Sequence, residues 1–333
     1  MSLVSVYRLK AFFVLMMCED PGNGKVWATA PDMGPDDVDN ALKTAHAAFE
    51  DYKKVNPRQR AQWMLKWDQL IRENRDDLAQ IVTHECGKPL FESQGELDYA
   101  LGFTWWFAGE AERVQGTVQV PAAPNRRVFT VKQPIGVAVA LVPWNFPIAM
   151  ILRKAGAALA AGCTMIVKPS PETPFSVGAL AYLAEKAGFP KGVFSVMPTS
   201  LDGTPALSES LCRHPLTKKV TFTGSTRVGK LVAKICSDGL KKCTLELGGN
   251  CPFLVFDDAD LEQAAARKSP VSHNSSVFAD PPQSFSPSSG ATPARLASLR
   301  TEYTSRKAST RSSPTSSQRR RQRSKSATAQ KKA

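Results

Sequence analysis

Hydrophobic residues in the first third of the chain recur at helical spacing. Residues 31–112 are predicted to be largely helical, because four runs place apolar or small side chains three or four positions apart and so create one buried face each. The first run follows Asp36 and Asp37, and acidic residues favour a helix start. The other three runs cover residues 58–72, 75–83 and 91–114.

Beyond Pro134 short apolar runs alternate with longer helical ones. Residues 135–142 are apolar and β-branched without a polar break, which is typical of a strand buried on both faces. The alternation predicts an α/β fold with a doubly wound, Rossmann-like parallel sheet, which binds ligands at the carboxyl ends of its strands. The further strands are predicted at 164–167, 193–197, 219–223 and 243–247, and the helices at 149–161, 176–187 and 226–236.

Residues 267–333 lose this periodicity and differ in charge. They hold 14 of the 43 basic residues and 2 of the 30 acidic ones, whereas residues 1–266 are nearly neutral with 29 basic and 28 acidic residues. A segment dominated by Ser, Pro, Thr, Arg and Lys buries too little apolar surface to offset chain ordering, which costs about 1–2 kcal/mol per residue for the backbone. We predict a disordered basic tail. An out-of-frame or misspliced translation and a genuine extension both explain the abrupt change after Ala266.

Cysteine usage and apolar runs bear on the compartment. The seven cysteines are odd in number and form no CxxC pair, which indicates reduced thiols, and no metal site is predicted. No apolar run approaches the ~18 residues of a membrane helix, so no membrane partner is expected. Residues 11–17 are apolar and follow Arg8 and Lys10, which fits either a leader-like segment or a buried strand. The expected location is the cytoplasm or the mitochondrial matrix.

Four short segments follow predicted strands and carry chemistry suited to a ligand site. Asn145, in a turn between two prolines, can donate a hydrogen bond to a developing oxyanion. Lys168 can reach a ribose hydroxyl or a phosphate, or extend into water. Gly224 and Ser225 open a helix whose N-terminus suits a pyrophosphate, although a simple capped turn has the same pattern. Glu246, between two leucines, is either a desolvated general base with a raised pKa or a solvent-facing residue of a sheet edge.

Taken in order, these segments resemble the aldehyde dehydrogenase superfamily. The resemblance rests on PWNFP, KPSPETP, FTGSTRVG and LELGG and runs from about Gly24 to about Ala266. ECGKPL and GNCPF are most similar to the succinate-semialdehyde dehydrogenases. The resemblance implies an N-terminal strand or arm at 1–30, an NAD(P)-binding domain with N-terminal helices at 31–252, the start of a truncated catalytic domain at 253–266, and the tail at 267–333.

The resemblance also implies a role for each site residue. Asn145 would be the side-chain donor of the oxyanion hole, and Glu246 would activate the water that hydrolyses a thioester. Arg153 would hold the distal carboxylate of the substrate, although an arginine that pairs locally on its helix fits as well. The cofactor, NAD or NADP, would be bound by Trp144, Lys168, Ser170, Pro171, Gly224, Ser225 and Gly229.

Residue 171 bears on the choice between the two cofactors. Relatives that prefer NAD often carry a glutamate three residues after the lysine, where it accepts from the 2′-hydroxyl of the ribose. This chain has Pro171 there, and its carboxylate follows at Glu172. A 2′-phosphate would meet less repulsion, so tolerance of NADP is predicted.

The nucleophile of the family has no counterpart in this sequence. The resemblance implies oxidation of an aldehyde to a carboxylic acid, with succinate semialdehyde as the expected small-molecule substrate, GABA degradation as the setting and a homo-oligomer as the intact form. In the family a thiolate from a Gly-Gln-x-Cys segment attacks the aldehyde carbonyl. No cysteine follows Cys251 in this chain, so we expect it to be inactive as written.

A second interpretation is a non-catalytic, nucleotide-binding pseudoenzyme whose basic tail binds nucleic acid. Clustered Lys and Arg attract phosphate backbones through counterion release. Phe278, Phe285 and Tyr303 lie away from the basic clusters, which argues against base stacking and specific recognition.

Overall fold

The computed structural model describes residues 14–250, 253–256 and 258–268 of the 333. The described residues belong to two units, residues 14–248 and the residues from Gly249 onward. The first unit opens with two antiparallel strands and four helices, and a small antiparallel hairpin follows. These elements are β1 (Leu15–Asp20), β2 (Lys25–Pro31), α1 (Pro35–Tyr52), α2 (Pro57–Glu73), α3 (Arg75–Cys86), α4 (Leu90–Glu110), β3 (Thr117–Gln119) and β4 (Val128–Thr130).

A five-stranded parallel sheet forms the rest of the first unit. Its elements are β5 (Val137–Leu141), α5 (Pro147–Ala160), β6 (Thr164–Lys168), α6 (Pro174–Ala187), β7 (Phe194–Val196), α7 (Thr204–Arg213), β8 (Thr217–Thr223), α8 (Thr226–Asp238) and β9 (Lys242–Glu246). The spatial order is β7-β6-β5-β8-β9, so the chain moves outward from β5 to one edge and then returns to build the other side. This order confirms the predicted doubly wound topology.

Successive residues of β5 enter two different hydrophobic cores. Val137 and Val139 pack with α1, α7 and α8, whereas Ala138 and Ala140 pack with α2 to α6. Side chains of a strand alternate between the two faces of the sheet, and both faces are covered here, so all five residues of β5 are buried. Burial on both faces explains why the sequence of β5 has no polar alternation.

Most predicted elements are confirmed, with corrections at the ends, whereas β3, β4 and α7 were not predicted. Pro31 ends β2, so the helical region starts at Pro35, and α4 ends at Glu110 before the predicted Val114. Helix α7 was missed by the sequence prediction. Its buried Leu207 and Leu211 are four residues apart, but the surrounding Gly, Ser, Thr and Pro hide this short period.

The N-terminal apolar segment is half-buried where the structure describes it. Met16 and Cys18 are 6% and 3% exposed, whereas Leu15 and Met17 are 56% and 72% exposed. A strand is therefore present in β1, and only one of its faces packs against the protein. Residues 11–13 of the predicted segment lie outside the described residues.

The described part of the second unit contains helix α9 (Leu261–Lys268). The carboxylate of Asp260 accepts hydrogen bonds from the N–H groups of Glu262 and Gln263, both at 3.0 Å, and so caps the helix. The tail was predicted to begin at residue 267, and the first two residues of that range belong to α9; residues 269–333 lie outside the described residues. No helix among the described residues is long and apolar enough to cross a membrane.

Candidate cofactor and active site

The parallel register brings the four predicted segments to one edge of the sheet. Leu141, the last residue of β5, pairs with Lys168 of β6 and with Phe222 of β8, and Thr223 pairs with Glu246 of β9. The chain reverses its winding between β5 and β8, and doubly wound sheets bind ligands in the crevice at that point. The segments after these strands therefore surround the expected ligand position.

The loop that carries Trp144 and Asn145 is held through its backbone. The Nζ of Lys88 donates to the Asn145 carbonyl oxygen at 2.7 Å, and the Cys86 thiol donates to the Trp144 carbonyl oxygen at 3.1 Å. Both donors come from the junction of α3 and α4. The Asn145 side chain is exposed, so its amide is available to a ligand at this edge.

Lys168 ends β6 and is 4% exposed. Burial disfavours its charged form and lowers the pKa of Lys168 to about 8, while nearby Glu172 opposes that shift. Ser170 donates a hydrogen bond to the Glu172 carboxylate and holds it one residue beyond Pro171. Ser170 therefore orients an anion near the lysine, a function that the sequence prediction did not assign to it.

Glu85, at the end of α3, caps the helix that follows this lysine. Its carboxylate accepts from the N–H groups of Phe175 at 2.5 Å and of Ser176 at 3.0 Å, and also from the Ser176 hydroxyl. Glu85 is 2% exposed. Burial raises the pKa of Glu85 to about 8, and the three hydrogen bonds oppose that rise. The sequence prediction named no role for Glu85, because its partners lie 90 and 91 positions away.

The N-terminus of α8 has the features of a phosphate site. Ser225 is its N-cap and accepts from the Val228 N–H at 3.4 Å, while Thr226 and Arg227 are exposed. Unpaired N–H groups and the positive end of a helix dipole favour a phosphate anion. The residues present at this turn therefore fit the pyrophosphate of NAD or NADP.

The two glycines of this turn lie close against side chains of the same chain. A Cβ on Gly229 would lie 2.4 Å from Cδ2 of Leu247, and a Cβ on Gly224 would lie 2.5 Å from Cζ of Phe222. The Gly224 N–H also donates to the carbonyl oxygen of Glu246 at 3.1 Å, which joins the ends of β8 and β9. Gly229 therefore lets α8 approach the end of β9, and a side chain at either glycine would require its neighbour to shift.

The sequence left Glu246 as either a desolvated carboxylate or a solvent-facing residue of a sheet edge, and the structure favours the second, with the carboxylate also paired. Its Oε2 accepts from Nη2 of Arg153 at 2.5 Å and from the Thr223 hydroxyl at 3.0 Å. The Nζ of Lys154 lies 3.6 Å from its Oε1, and the Glu246 side chain is 39% exposed. Because β9 is the last strand in the described order of the sheet, solvent reaches this carboxylate.

Lys154 is a component of the site that the sequence prediction missed. It is 7% exposed and donates to the Thr221 hydroxyl at 3.1 Å. Burial lowers the pKa of Lys154, and the charge of Glu246 opposes that shift. Lys154 directly follows Arg153, and no local sequence pattern distinguishes the two. Only the structure of α5 shows that both side chains reach Glu246.

In the structure the guanidinium of Arg153 binds a side chain of the protein itself. Its guanidinium pairs with Glu246, contacts the Met150 sulfur at 3.2 Å and lies 6.0 Å from the centre of the Phe103 ring. The guanidinium would have to leave Glu246, at least in part, to bind a substrate carboxylate. The predicted local pairing on the helix surface is wrong in detail, because the partner is on β9.

The sequence from residue 14 to residue 272 matches the model of the aldehyde dehydrogenase family. The chain belongs to the aldehyde dehydrogenase family. It is 52% identical over 245 residues to succinate-semialdehyde dehydrogenase [NADP(+)] of Saccharomyces cerevisiae, covering 74% of this chain and 49% of that one. It is 47% identical over 245 residues to glutarate-semialdehyde dehydrogenase of Pseudomonas aeruginosa, covering 74% and 50%.

Solved structures show the same relationship. The crystal structure of succinate-semialdehyde dehydrogenase from Burkholderia pseudomallei has 46% sequence identity and a TM-score of 0.73, covering 76% of this chain and 52% of that one. The resemblance to the aldehyde dehydrogenases, and within them to succinate-semialdehyde dehydrogenases, is thereby confirmed. The chain spans about half the length of the relatives it matches.

Proposed function

We propose that this chain provides the NAD(P)-binding part of a dehydrogenase that oxidises an aldehyde to a carboxylic acid, with succinate semialdehyde as the substrate. The observation that carries the proposal is the shared sheet edge, where the segments after β5, β6, β8 and β9 meet. Two of the relatives are named for semialdehydes, which carry one carboxylate besides the aldehyde. Their names support an acidic aldehyde as the substrate.

The cofactor, when bound, would accept the hydride that leaves the aldehyde carbon. The N-terminus of α8 would hold its pyrophosphate, with Ser225 at the cap. Lys168, at the end of β6, would face the adenosine ribose and would attract a 2′-phosphate when the amine is charged. Trp144, Ser170 and Pro171 would line the same crevice. Pro171 places no anion opposite the 2′-position, which supports use of NADP.

Asn145 and Glu246 would serve the aldehyde. The exposed Asn145 amide would donate to the carbonyl oxygen as negative charge develops there. Glu246 would accept a proton from water, and Lys154 and Arg153 would hold its carboxylate in place. The guanidinium of Arg153 suits the distal carboxylate of the substrate, because its planar fork can bind both oxygens.

The cysteines that the structure describes supply no thiolate at Asn145. Cys86 contacts the neighbouring Trp144 carbonyl, but burial raises the pKa of its thiol to about 12, so it stays protonated. A hydrogen bond with Cys212 lowers the pKa of Cys236 to about 7, but Cys236 is 1% exposed in the core beneath α7 and α8. Cys251 lies outside the described residues. We therefore propose that this chain alone binds cofactor without oxidising aldehydes.

A titration of the purified chain with NADPH, followed by nucleotide fluorescence, tests the cofactor site. Ser225→Asp is the informative variant, because aspartate is a good N-cap yet places a negative charge where the pyrophosphate would bind. Its affinity for NADPH should fall at least about tenfold at an unchanged melting temperature. Equal affinity in both proteins, or no binding to the unaltered chain, would reject the assignment.

Turnover is tested separately with succinate semialdehyde and NADP. We expect no NADPH to form. Steady formation of NADPH that disappears in Glu246→Ala would show that the chain has a working nucleophile and would overturn the proposed inactivity.

The intact protein is further proposed to be a homo-oligomer. The β3–β4 hairpin leaves large apolar side chains in solvent, with Val118 65%, Phe129 70% and Val131 80% exposed. Exposed apolar surface of this kind favours a protein partner. Light scattering should give a mass above that of one chain for the unaltered protein and a lower mass for Phe129→Ser; equal masses would contradict the proposal.

A further inference from the structure

The Asn145 loop is held by a lysine and a glutamate to which no function has been assigned. The Nζ of Lys88 donates to Oε2 of Glu96 and to the Asn145 carbonyl oxygen, both at 2.7 Å. Oε1 of Glu96 accepts from the N–H groups of Ile148 at 2.8 Å and of Ala149 at 3.1 Å. We call Lys88 and Glu96 the loop clamp.

The loop clamp is buried, so it has little freedom to rearrange. The side chains of Lys88 and Glu96 are 13% and 0% exposed. The lysine also lies 4.5 Å from the centre of the Phe146 ring, next to Asn145. A buried charge pair whose remaining hydrogen-bonding positions are filled holds its surroundings in one geometry, and removing one partner leaves the other charge unpaired.

Glu96 also changes which donors are available to a ligand. The first N–H groups of a helix have no partner within the helix and attract anions. At α5 these groups already bind the Glu96 carboxylate. These N–H groups are therefore occupied, whereas the Asn145 side chain beside them is exposed.

We propose that Lys88 and Glu96 are positioning residues for Asn145. Glu96 fixes the N-terminus of α5 and keeps its N–H groups from ligands, while Lys88 fixes the Asn145 backbone by its carbonyl oxygen. Holding the backbone at and after Asn145 limits the positions that its exposed amide can take at the sheet edge, where the reacting carbonyl would lie. The assignment of that carbonyl rests on the proposed function, whereas the holding of the loop does not.

Hydrogen–deuterium exchange of the full-length chain, read on peptides covering residues 141–152, tests the positioning. Lys88→Met and Glu96→Gln should each speed exchange in these peptides at least about tenfold, with little change in peptides of α8. Lys88→Arg keeps the charge and the donors, so exchange should stay within about threefold of the unaltered chain. Unchanged exchange in Lys88→Met and Glu96→Gln would overturn the proposal.

The matched control is an ion pair that joins α3 to α4, whereas Lys88 lies in the segment between these two helices. Arg75 of α3 binds the Asp98 carboxylate of α4 at 2.8 and 2.7 Å, away from the Asn145 loop. Arg75→Met should leave exchange at 141–152 unchanged. Equal acceleration in Arg75→Met and Lys88→Met would show that any lost ion pair at α4 has this effect, and this too would overturn the proposal.

NADPH binding separates this inference from the proposed function. If the unaltered chain fails to bind NADPH, the proposed cofactor site is wrong, and the clamp is still judged from the exchange of residues 141–152. If NADPH binds and slows that exchange in the unaltered chain but not in Glu96→Gln, both are supported.

Discussion

The edge of the sheet where the site lies has a buried half, after β5 and β6, and a more exposed half, formed by Glu246 of β9 and its partner Arg153. The two halves are held in different ways. After β5 and β6 the groups that hold the loops are buried: Glu85 is 2% and Lys168 4% exposed. At the end of β9 the side chain of Glu246 is 39% exposed, and its partner Arg153, which reaches it from α5, is 31% exposed. The difference follows from the sheet, because β5 and β6 have neighbours on both sides whereas β9 is a terminal strand of the described sheet. A carboxylate that exchanges protons with water needs this exposure, and a loop that shapes a binding site benefits from burial.

The comparison predicts the largest loss of stability in the buried half. Glu85→Ala should lower the free energy of unfolding by about 3 kcal/mol, because the buried donors of Phe175 and Ser176 lose their acceptor and each unsatisfied donor costs about 1–3 kcal/mol. Urea unfolding at pH 7 measures the change. Glu85→Gln retains an acceptor and should lose less. A loss below about 1 kcal/mol in Glu85→Ala would show that water replaces the carboxylate and that this half is not closed.

An effect of intermediate size is expected at Lys168, on the preference for NADPH over NADH. Its pKa is lowered to about 8, so the amine is charged below that pH and neutral above it. A charged amine attracts the 2′-phosphate of NADPH, which NADH lacks, so the preference for NADPH should be present below pH 8 and fall about tenfold as the pH rises to 9.5. The ratio of the two dissociation constants between pH 6.5 and 9.5 measures it.

The control for this profile is Lys168→Arg. A guanidinium stays charged throughout the range, so its ratio of dissociation constants should be flat. If the unaltered chain and Lys168→Arg share one profile, the titrating group is not Lys168.

How far the sequence predicts each part depends on how local the interactions are. The strands and helices of the sheet were predictable because a strand buried on both faces is apolar throughout, as in β5. The order of the site segments was predictable because parallel strands end at one edge. The holding groups were not, because the partners of Glu96 and Glu85 lie 52 and 90 positions away and no local pattern joins them.

The pairing of Glu246 likewise could not be predicted from its neighbours in sequence. Its two leucine neighbours suggested desolvation, but the decisive neighbour, Arg153, lies 93 positions away on α5. A residue on a terminal strand keeps contact with solvent whatever its neighbours in sequence are. Local hydrophobicity therefore predicted the strand correctly but left the surroundings of its last side chain open.

The smallest effect is expected in the exposed half. Glu246→Gln should change the free energy of unfolding by less than about 1 kcal/mol, because partly exposed ion pairs contribute little once solvent screens them. Arg153→Gln should do the same, and the double variant should show a coupling of about 0.5 kcal/mol that shrinks in 1 M salt. Urea unfolding of the four proteins at low and high salt measures the coupling.

A coupling above about 2 kcal/mol would mean that Glu246 and Arg153 are as strongly tied as the groups of the buried half. Arg153 could then not leave Glu246 to bind a substrate carboxylate without a large cost. A weak, salt-sensitive coupling is what an arginine needs if it is to exchange a protein carboxylate for that of a substrate. The proposed role of Arg153 therefore depends on a small coupling free energy between Arg153 and Glu246.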